Sequence, residues 1–321
     1  MIMADFKMSV IVTVYNEEKY IAKSLDSIIN QDFDDYEVIV VNNGSTDNSL
    51  EIINKKLSQS NIPHKIISIQ NNGVSSARNR GIDESSGEYI VFVDGDDYIA
   101  SNHLHLLYNK DFDSCLVQLV KKQGDKIISK PHFYKEEVLK TADFIELELK
   151  MEIPFNFVQL SYKRDIIIDN NLKFNSDINY GEDTEFALKA LIYCESVRIS
   201  NETTYFYVQH SSSLSSLSKL KRFNFVFTLD NLADFYEEKG YFELANLIHT
   251  SRIPKAIFGN MNYFFFNNYD YDEVINYMNK LSLFKRLSGF KGDLKFMLKI
   301  RLFLFSPKLY YSVWKKFKNS I

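Results

Sequence analysis

The chain has 321 residues, enough for about two domains, of which 45% are hydrophobic, 15% aromatic and 25% charged. That composition excludes a disordered, collagen-like or low-complexity chain, and two cysteines, Cys115 and Cys194, exclude a disulfide framework or a zinc cluster. The net charge of −4 hides an asymmetry: from residue 281 onward ten cations face Asp293 alone, a net +9, which leaves −13 for residues 1–280.

No basic segment followed by an apolar stretch opens the chain, so no secretory leader is expected. No run of 18 apolar residues offers a membrane-spanning helix, and a reducing cytoplasm is the expected compartment. Met8–Val14 is a nearly unbroken β-branched run, which predicts a strand buried on both faces. Glu17–Asn30 carries Ile21, Leu25, Ile28 and Ile29 at helical spacing. Tyr36–Val41 predicts a second buried strand, Asp47–Leu57 a second helix, Lys65–Ile69 a third strand, Ser75–Glu84 a helix and Glu88–Val93 a fourth strand. This alternation implies right-handed crossovers and a mostly parallel sheet. Ligands of such sheets bind beyond the carboxyl ends of the strands.

Four strand ends therefore converge on one crevice. The first brings Thr13, Tyr15, Asn16 and Glu17; the second brings Asn42 and Asn43 ahead of Gly44-Ser45-Thr46-Asp47. The third leads through Asn72-Gly73 to Arg78-Asn79, and the fourth ends in Asp94-Gly95-Asp96-Asp97. Alternate carboxylates at a strand end can hold Mg²⁺ or Mn²⁺ with positions left for phosphate oxygens; the plain reading is a solvated Asp/Gly turn. Tyr15 either stacks on a base or covers the sheet rim. Asn42 and Asn43 either read a base edge or serve the turn, and Ser45, Thr46 and Asp47 cap the next helix. Arg78 is a phosphate clamp, an orienter of the metal carboxylates or a surface cation.

Residues 98–215 read as mixed: a helix near His103–Asn109, strands near Ser114–Val120 and Lys126–His132, a helix near Glu182–Cys194, then strands at Val197–Ile199 and Thr203–Val208. Glu182 and Asp183 open their helix after Gly181, as dipole complements or as a base for an attacking hydroxyl. His210 follows a strand and either reaches a diphosphate or metal or is a loop histidine. The serine-rich stretch Ser211–Ser218 is the expected domain boundary, and beyond it the pattern is helical.

Ser9–Asn16, Asn42–Asp47, Asn72-Gly73 with Arg78-Asn79, Phe92–Asp97 and Gly181–Asp183 stand in an order and spacing that resemble the family two glycosyltransferases, over roughly residues 6–215. The resemblance implies an α/β fold of GT-A type, Rossmann-like with a mostly parallel central sheet, over residues 1–215; residues 216–321 lie outside it and are expected to be all-helical from their own pattern. Residues 1–100 would hold the nucleotide sugar and 101–215 the acceptor. It implies inverting transfer of a sugar from a nucleotide diphosphate sugar, UDP-sugar first, to a hydroxyl of a glycan or lipid-linked acceptor in a bacterial surface polymer. By position, Thr13, Tyr15, Asn16, Glu17, Asn42, Asn43, Asn72, Arg78, Asp94, Gly95 and His210 look like donor-site residues. Asp94 and Asp96, with Asp97 a further candidate, resemble the Mn²⁺ or Mg²⁺ motif. Asp183 is similar to the catalytic base, with Glu182 shaping the acceptor side.

The chain departs from the family in having Thr13 where Pro is usual and Asn42-Asn43 where at least one Asp is usual. The competing readings are a sugar-phosphate nucleotidyltransferase, which would show a Gly-rich basic loop where Tyr15-Asn16-Glu17-Glu18 stands, and a non-catalytic partner subunit, against which Asp94, Asp96 and Asp183 argue. Residues 296–305 and 309–318 interleave large apolar side chains with cations. That pattern predicts helices lying on the inner membrane surface, or else packing into a bundle or homo-oligomer. No nucleic-acid motif accompanies the +9 tail.

Overall fold

The computed structural model describes residues 5–178, 180–210 and 220–317. The expected boundary Ser211–Ser218 lies outside the described residues. By compactness the chain divides into two units, residues 1–145 with 153–213, and residues 146–152 with 214–321.

The first unit begins with β1 (Phe6–Val14), α1 (Ile21–Ile29), β2 (Tyr36–Asn42), α2 (Ser49–Ser58), β3 (His64–Ser68), α3 (Val74–Glu84) and β4 (Gly87–Asp94). There follow β5 (Tyr98–Ile99), α4 (His103–Leu107), β6 (Ser114–Gln123), β7 (Lys126–Ile127), β8 (Val138–Lys140), α5 (Thr141–Leu149, of which residues 146–149 belong to the second unit), β9 (Tyr162–Lys163), α6 (Arg164–Asp169), α7 (Glu182–Leu191) and β10 (Ser196–Val208). One sheet runs β3-β2-β1-β4-β9, its first four strands parallel and β9 antiparallel to β4. Met8, Val10, Ile11 and Val12 are fully buried, as the β-branched run requires of a strand covered on both faces. Each such side chain contributes about 1.5–3 kcal/mol on leaving water. Parallel pairing places all four carboxyl ends at one edge and sets Thr13 opposite Asp94. A second sheet runs β5-β10-β6-β7, with β8 on β10.

Local hydrogen bonds explain where the elements differ from expectation. α1 runs from Ile21, and the turn ahead of it is capped from outside: the Glu17 carbonyl accepts from the Ile21 N–H (2.9 Å), while the Glu17 and Glu18 N–H groups donate to Ser49 Oγ (2.8 Å) and Asp47 Oδ2 (3.0 Å). The strand expected over Lys126–His132 is only Lys126–Ile127; Pro131 has no N–H to offer a ladder. The two strands expected at 197–199 and 203–208 are one, β10, with irregular register between Ile199 and Tyr205. The short β5, β8 and β9, and α5 and α6, have no strong periodic signal.

The second unit, as described, holds α8 (Phe225–Glu238), α9 (Phe242–Leu247), a π-helical turn at Ile248–Arg252, α10 (Ile253–Phe266), α11 (Tyr271–Lys280), α12 (Leu283–Leu287), α13 (Leu294–Phe305) and α14 (Pro307–Phe317). Its core is aromatic: Phe258 lies 5.9 Å from Phe303 and 5.3 Å from Tyr310, and Phe284 stacks on Phe303 at 5.3 Å. A buried ion pair joins Arg252 to Glu148 at 2.9 Å.

Candidate active site

The loops after β1, β2 and β3 are tied together by side-chain amides. Asn16 has φ +58°, a left-handed conformation that Asn tolerates. Its N–H donates to Ser45 Oγ (3.0 Å), and its Oδ1 accepts from the Thr46 N–H (2.8 Å). Buried Asn42 accepts from the Ser45 N–H (3.1 Å) and donates to Ser68 Oγ (3.3 Å). Buried Asn43 donates to Asn71 Oδ1 and accepts from the Asn72 N–H, each at 3.3 Å. The two amides hold the three loops in place, as turn chemistry would. Tyr15 and Asn72 are exposed at the rim.

The Asp94–Asp97 segment uses its carboxylates in different ways. Gly95 donates its N–H to the Thr13 carbonyl at 3.0 Å, and a Cβ there would lie 2.9 Å from that same oxygen. Only glycine lets the turn close on β1. Asp94 accepts from Thr13 Oγ1 (3.3 Å) and from the Arg78 guanidinium (3.1 Å). Asp96 meets His210 Nε2 at 2.8 Å. Asp97, a candidate for the cation set, is turned inward. It is 1% exposed, and its two oxygens accept from the Tyr205 hydroxyl (2.8 Å) and the Val208 N–H (2.7 Å). It braces β10 against the end of β4.

Arg78 sits at the centre. It is 5% exposed, with its guanidinium 4.3 Å from the Phe157 ring and 5.3 Å from Phe174. One nitrogen reaches Asp94, and another reaches Glu182 Oε1 at 3.5 Å. Burial lowers its pKa, but Asp94, Asp183 and Glu182 outweigh that and raise it. It is therefore a charged bridge between the β4 turn and the start of α7, not a surface cation. Gly181, at φ +81°, turns the chain into α7 in a conformation costly to any residue with a Cβ. Asp183 Oδ1 accepts from the Thr184 N–H at 2.7 Å. Burial and then Asp183 push Glu182 up to about 7, against the pull of Arg78.

Glu17, Asp96 and His210 each offer one oxygen or nitrogen, all within 4.8 Å of one another. Two carboxylate oxygens and an imidazole nitrogen suit Mn²⁺ better than Mg²⁺, which favours oxygen ligands throughout. Burial first, then Asp96, Asp47 and Asp94, push Glu17 up to about 8; burial and Asp94 raise Asp96, against His210. Crowded carboxylates of this kind are relieved by a cation. The grouping differs from the expected Asp94-Asp96-Asp97 set: Asp94 pairs with Arg78, Asp97 with β10, and Glu17 joins Asp96 instead.

Several contributors escaped the sequence reading. Tyr20 stacks on the His210 ring at 4.5 Å, Tyr205 holds Asp97, and Phe157 and Phe174 box Arg78. Tyr20 lies one helical turn from Glu17, a signal that was available. The others are long-range and have none.

Residues 9–160 match the model of Glycosyl transferase family 2. Over those residues, just under half of the chain, the sequence is that of a glycosyl transferase family 2 domain. Among curated relatives, the uncharacterized glycosyltransferase EpsJ of Bacillus subtilis is 32% identical over 219 residues, 65% of this chain and 63% of that protein. The poly(ribitol-phosphate) beta-glucosyltransferase of Bacillus spizizenii is 31% identical over 207 residues, 63% of this chain and 32% of that protein. The chain thus spans less than two thirds of the length of these relatives. The crystal structure of Staphylococcus aureus TarS 1-349 in complex with UDP-GlcNAc superposes with a TM-score of 0.73 at 21% identity, covering 98% of this chain and 92% of that one. The fold is of GT-A type, with a C-terminal helical region.

Proposed function

We propose that the chain is an inverting glycosyltransferase that moves a sugar from a nucleotide diphosphate sugar, UDP-sugar first, to a hydroxyl of a bacterial surface polymer. The observation that carries this reading is the buried Arg78 bridge, which joins the carboxylate turn of β4 to the acid pair opening α7. A transfer with inversion needs a leaving-group site and a base on opposite sides of one carbon, and a rigid link between the β4 turn and the start of α7 supports assigning those two roles there. The family match, the UDP-GlcNAc held by TarS 1-349 and the poly(ribitol-phosphate) acceptor in the name of a relative support the donor and acceptor classes.

In this reading Asp183 takes the proton of the attacking hydroxyl as its oxygen bonds the anomeric carbon. The bond from that carbon to the diphosphate breaks in the same step, and the nucleoside diphosphate leaves. Glu182 shapes the acceptor side, Tyr15 and Asn72 face the nucleoside, and Asn43 supports them by holding the Asn71-Asn72 loop. Glu17, Asp96 and His210 are the residues that would hold Mn²⁺ or Mg²⁺. The ion would neutralise charge on the departing diphosphate.

The test is calorimetric titration with UDP, CDP, GDP and CMP, with and without Mn²⁺, followed by transfer assays with the matching sugar nucleotides. Asp183→Asn is expected to lower transfer about a hundred- to ten-thousandfold while donor affinity is kept. Unchanged transfer in that variant sinks the base assignment; binding of no nucleotide sinks the transferase reading.

A further inference from the structure

We infer that α13 and α14 form a docking surface for an anionic lipid bilayer. Both helices bury one face and leave an apolar stripe on the other. In α13, Ile300 and Phe303 are buried, whereas Leu294, Leu298 and Phe305 are exposed by 63%, 55% and 86%. With 3.6 residues per turn, Leu294, Leu298, Arg301 and Phe305 fall within roughly 60° of arc. In α14, Tyr310 is buried while Leu309 and Val313 are exposed. Leu309, Val313 and Lys316 repeat the i, i+4, i+7 spacing of Leu294, Leu298 and Arg301. Each stripe thus has two aliphatic side chains followed by a cation.

Charge selects the occupant. Lys291, Lys295, Lys299, Arg301, Lys308, Lys315 and Lys316 are all exposed. The acid among them in the described segment 290–317 is Asp293, whose Oδ1 is committed to the Phe296 N–H at 2.8 Å as the cap of α13. Pairing of these helices with the same helices of a second copy would set cation against cation, since Asp293 is the acid of this segment. An anionic bilayer takes both components: aliphatic and aromatic side chains enter the acyl boundary, and Lys and Arg stay at the headgroups. None of the described helices is long and apolar enough to cross a membrane, so the mode is lying on the surface. This surface is independent of the transfer reading and is tested without substrates.

The experiment is sedimentation of the full chain with vesicles of phosphatidylcholine alone, or containing roughly one third phosphatidylglycerol. Two double variants accompany the wild type: Leu298→Ser with Phe305→Ser, and Lys295→Glu with Lys299→Glu. All four side chains are exposed, and circular dichroism and the melting temperature check that the fold is kept. The wild type is expected to bind anionic vesicles selectively, and each double variant to bind at least about tenfold more weakly. Molar salt should release the wild type, since the screening length then falls to about 3 Å. Equal binding to neutral vesicles overturns the inference, as does wild-type binding by both variants. So does absence of vesicle binding, whether the stripe then proves to mediate self-association or capture of an oligonucleotide.

Discussion

Replacing Arg78 by Ala removes the group on which the candidate site is assembled. Its guanidinium lies 3.1 Å from Asp94 Oδ1 and 3.5 Å from Glu182 Oε1, so the variant leaves two carboxylates facing each other with no cation between. Breaking a buried pair in this way costs about 3–5 kcal/mol. The side chains of Asp94 and Glu182 keep 26% and 16% exposure, so water offsets part of the loss. Against that, the stacking of the guanidinium over Phe157 and Phe174 is also lost, worth about 2 kcal/mol at a desolvated ring. About 3–5 kcal/mol therefore stands as the net figure, and in a unit of about 200 residues it lowers Tm by roughly 6–20 °C. Arg78→Lys keeps a charge but not the planar fork, and should fall between. Removing Arg78 also removes the influence that lowers Glu182, so that carboxyl should titrate above about 7. Calorimetry gives Tm, and NMR of the Glu182 carboxyl gives the titration. A Tm within about 2 °C of wild type, with Glu182 unmoved, refutes the bridge.

Three further substitutions separate roles within the site. Asp97→Ala should cost about 2–5 kcal/mol, because the Tyr205 hydroxyl and the Val208 N–H lose their acceptor in the interior; Mn²⁺ affinity should stay unchanged, and its loss would restore Asp97 to the cation set. Gly95→Ala should cost about 1–3 kcal/mol by urea unfolding, since a Cβ would press on the Thr13 carbonyl; a neutral result means that the turn relaxes freely. Glu182 has its pKa raised in the fold from 4.5 to about 7, so the folded state holds its proton more tightly than the unfolded one. Its contribution to stability is full below pH 4.5 and is lost as pH rises towards 7. Glu182→Gln should flatten the fall in stability across that window, by an amount on the order of 3 kcal/mol. Parallel pH profiles for wild type and variant contradict the assignment.

How much of this was legible follows from what each residue depends on. β1 and β2 could be read directly, because a strand buried on both faces needs a continuous apolar run and leaves that run in the sequence. The Asp94–Asp97 turn could be located for the same reason, since Phe92-Val93 marks a buried strand and Gly95 its close approach to β1. What each carboxylate does there was not legible. Asp94, Asp96 and Asp97 stand within four residues, but their partners come from Arg78, His210 and β10, and no local pattern encodes pairings across up to 114 residues. The Asn42-Asn43 pair shows the converse. Its turn chemistry was available beside the base-reading role, and the structure commits both amides to neighbouring loops. Glu17 is the instructive case. A glutamate after Tyr15-Asn16 reads as the start of a helix, and its carbonyl does accept the Ile21 N–H that opens α1. Its own N–H is held by Ser49 Oγ, next to the left-handed Asn16. What the local pattern does not encode is where its carboxylate ends: beside Asp96 and His210, from the turn after β4 and the end of β10, residues that only the parallel sheet brings to the same edge.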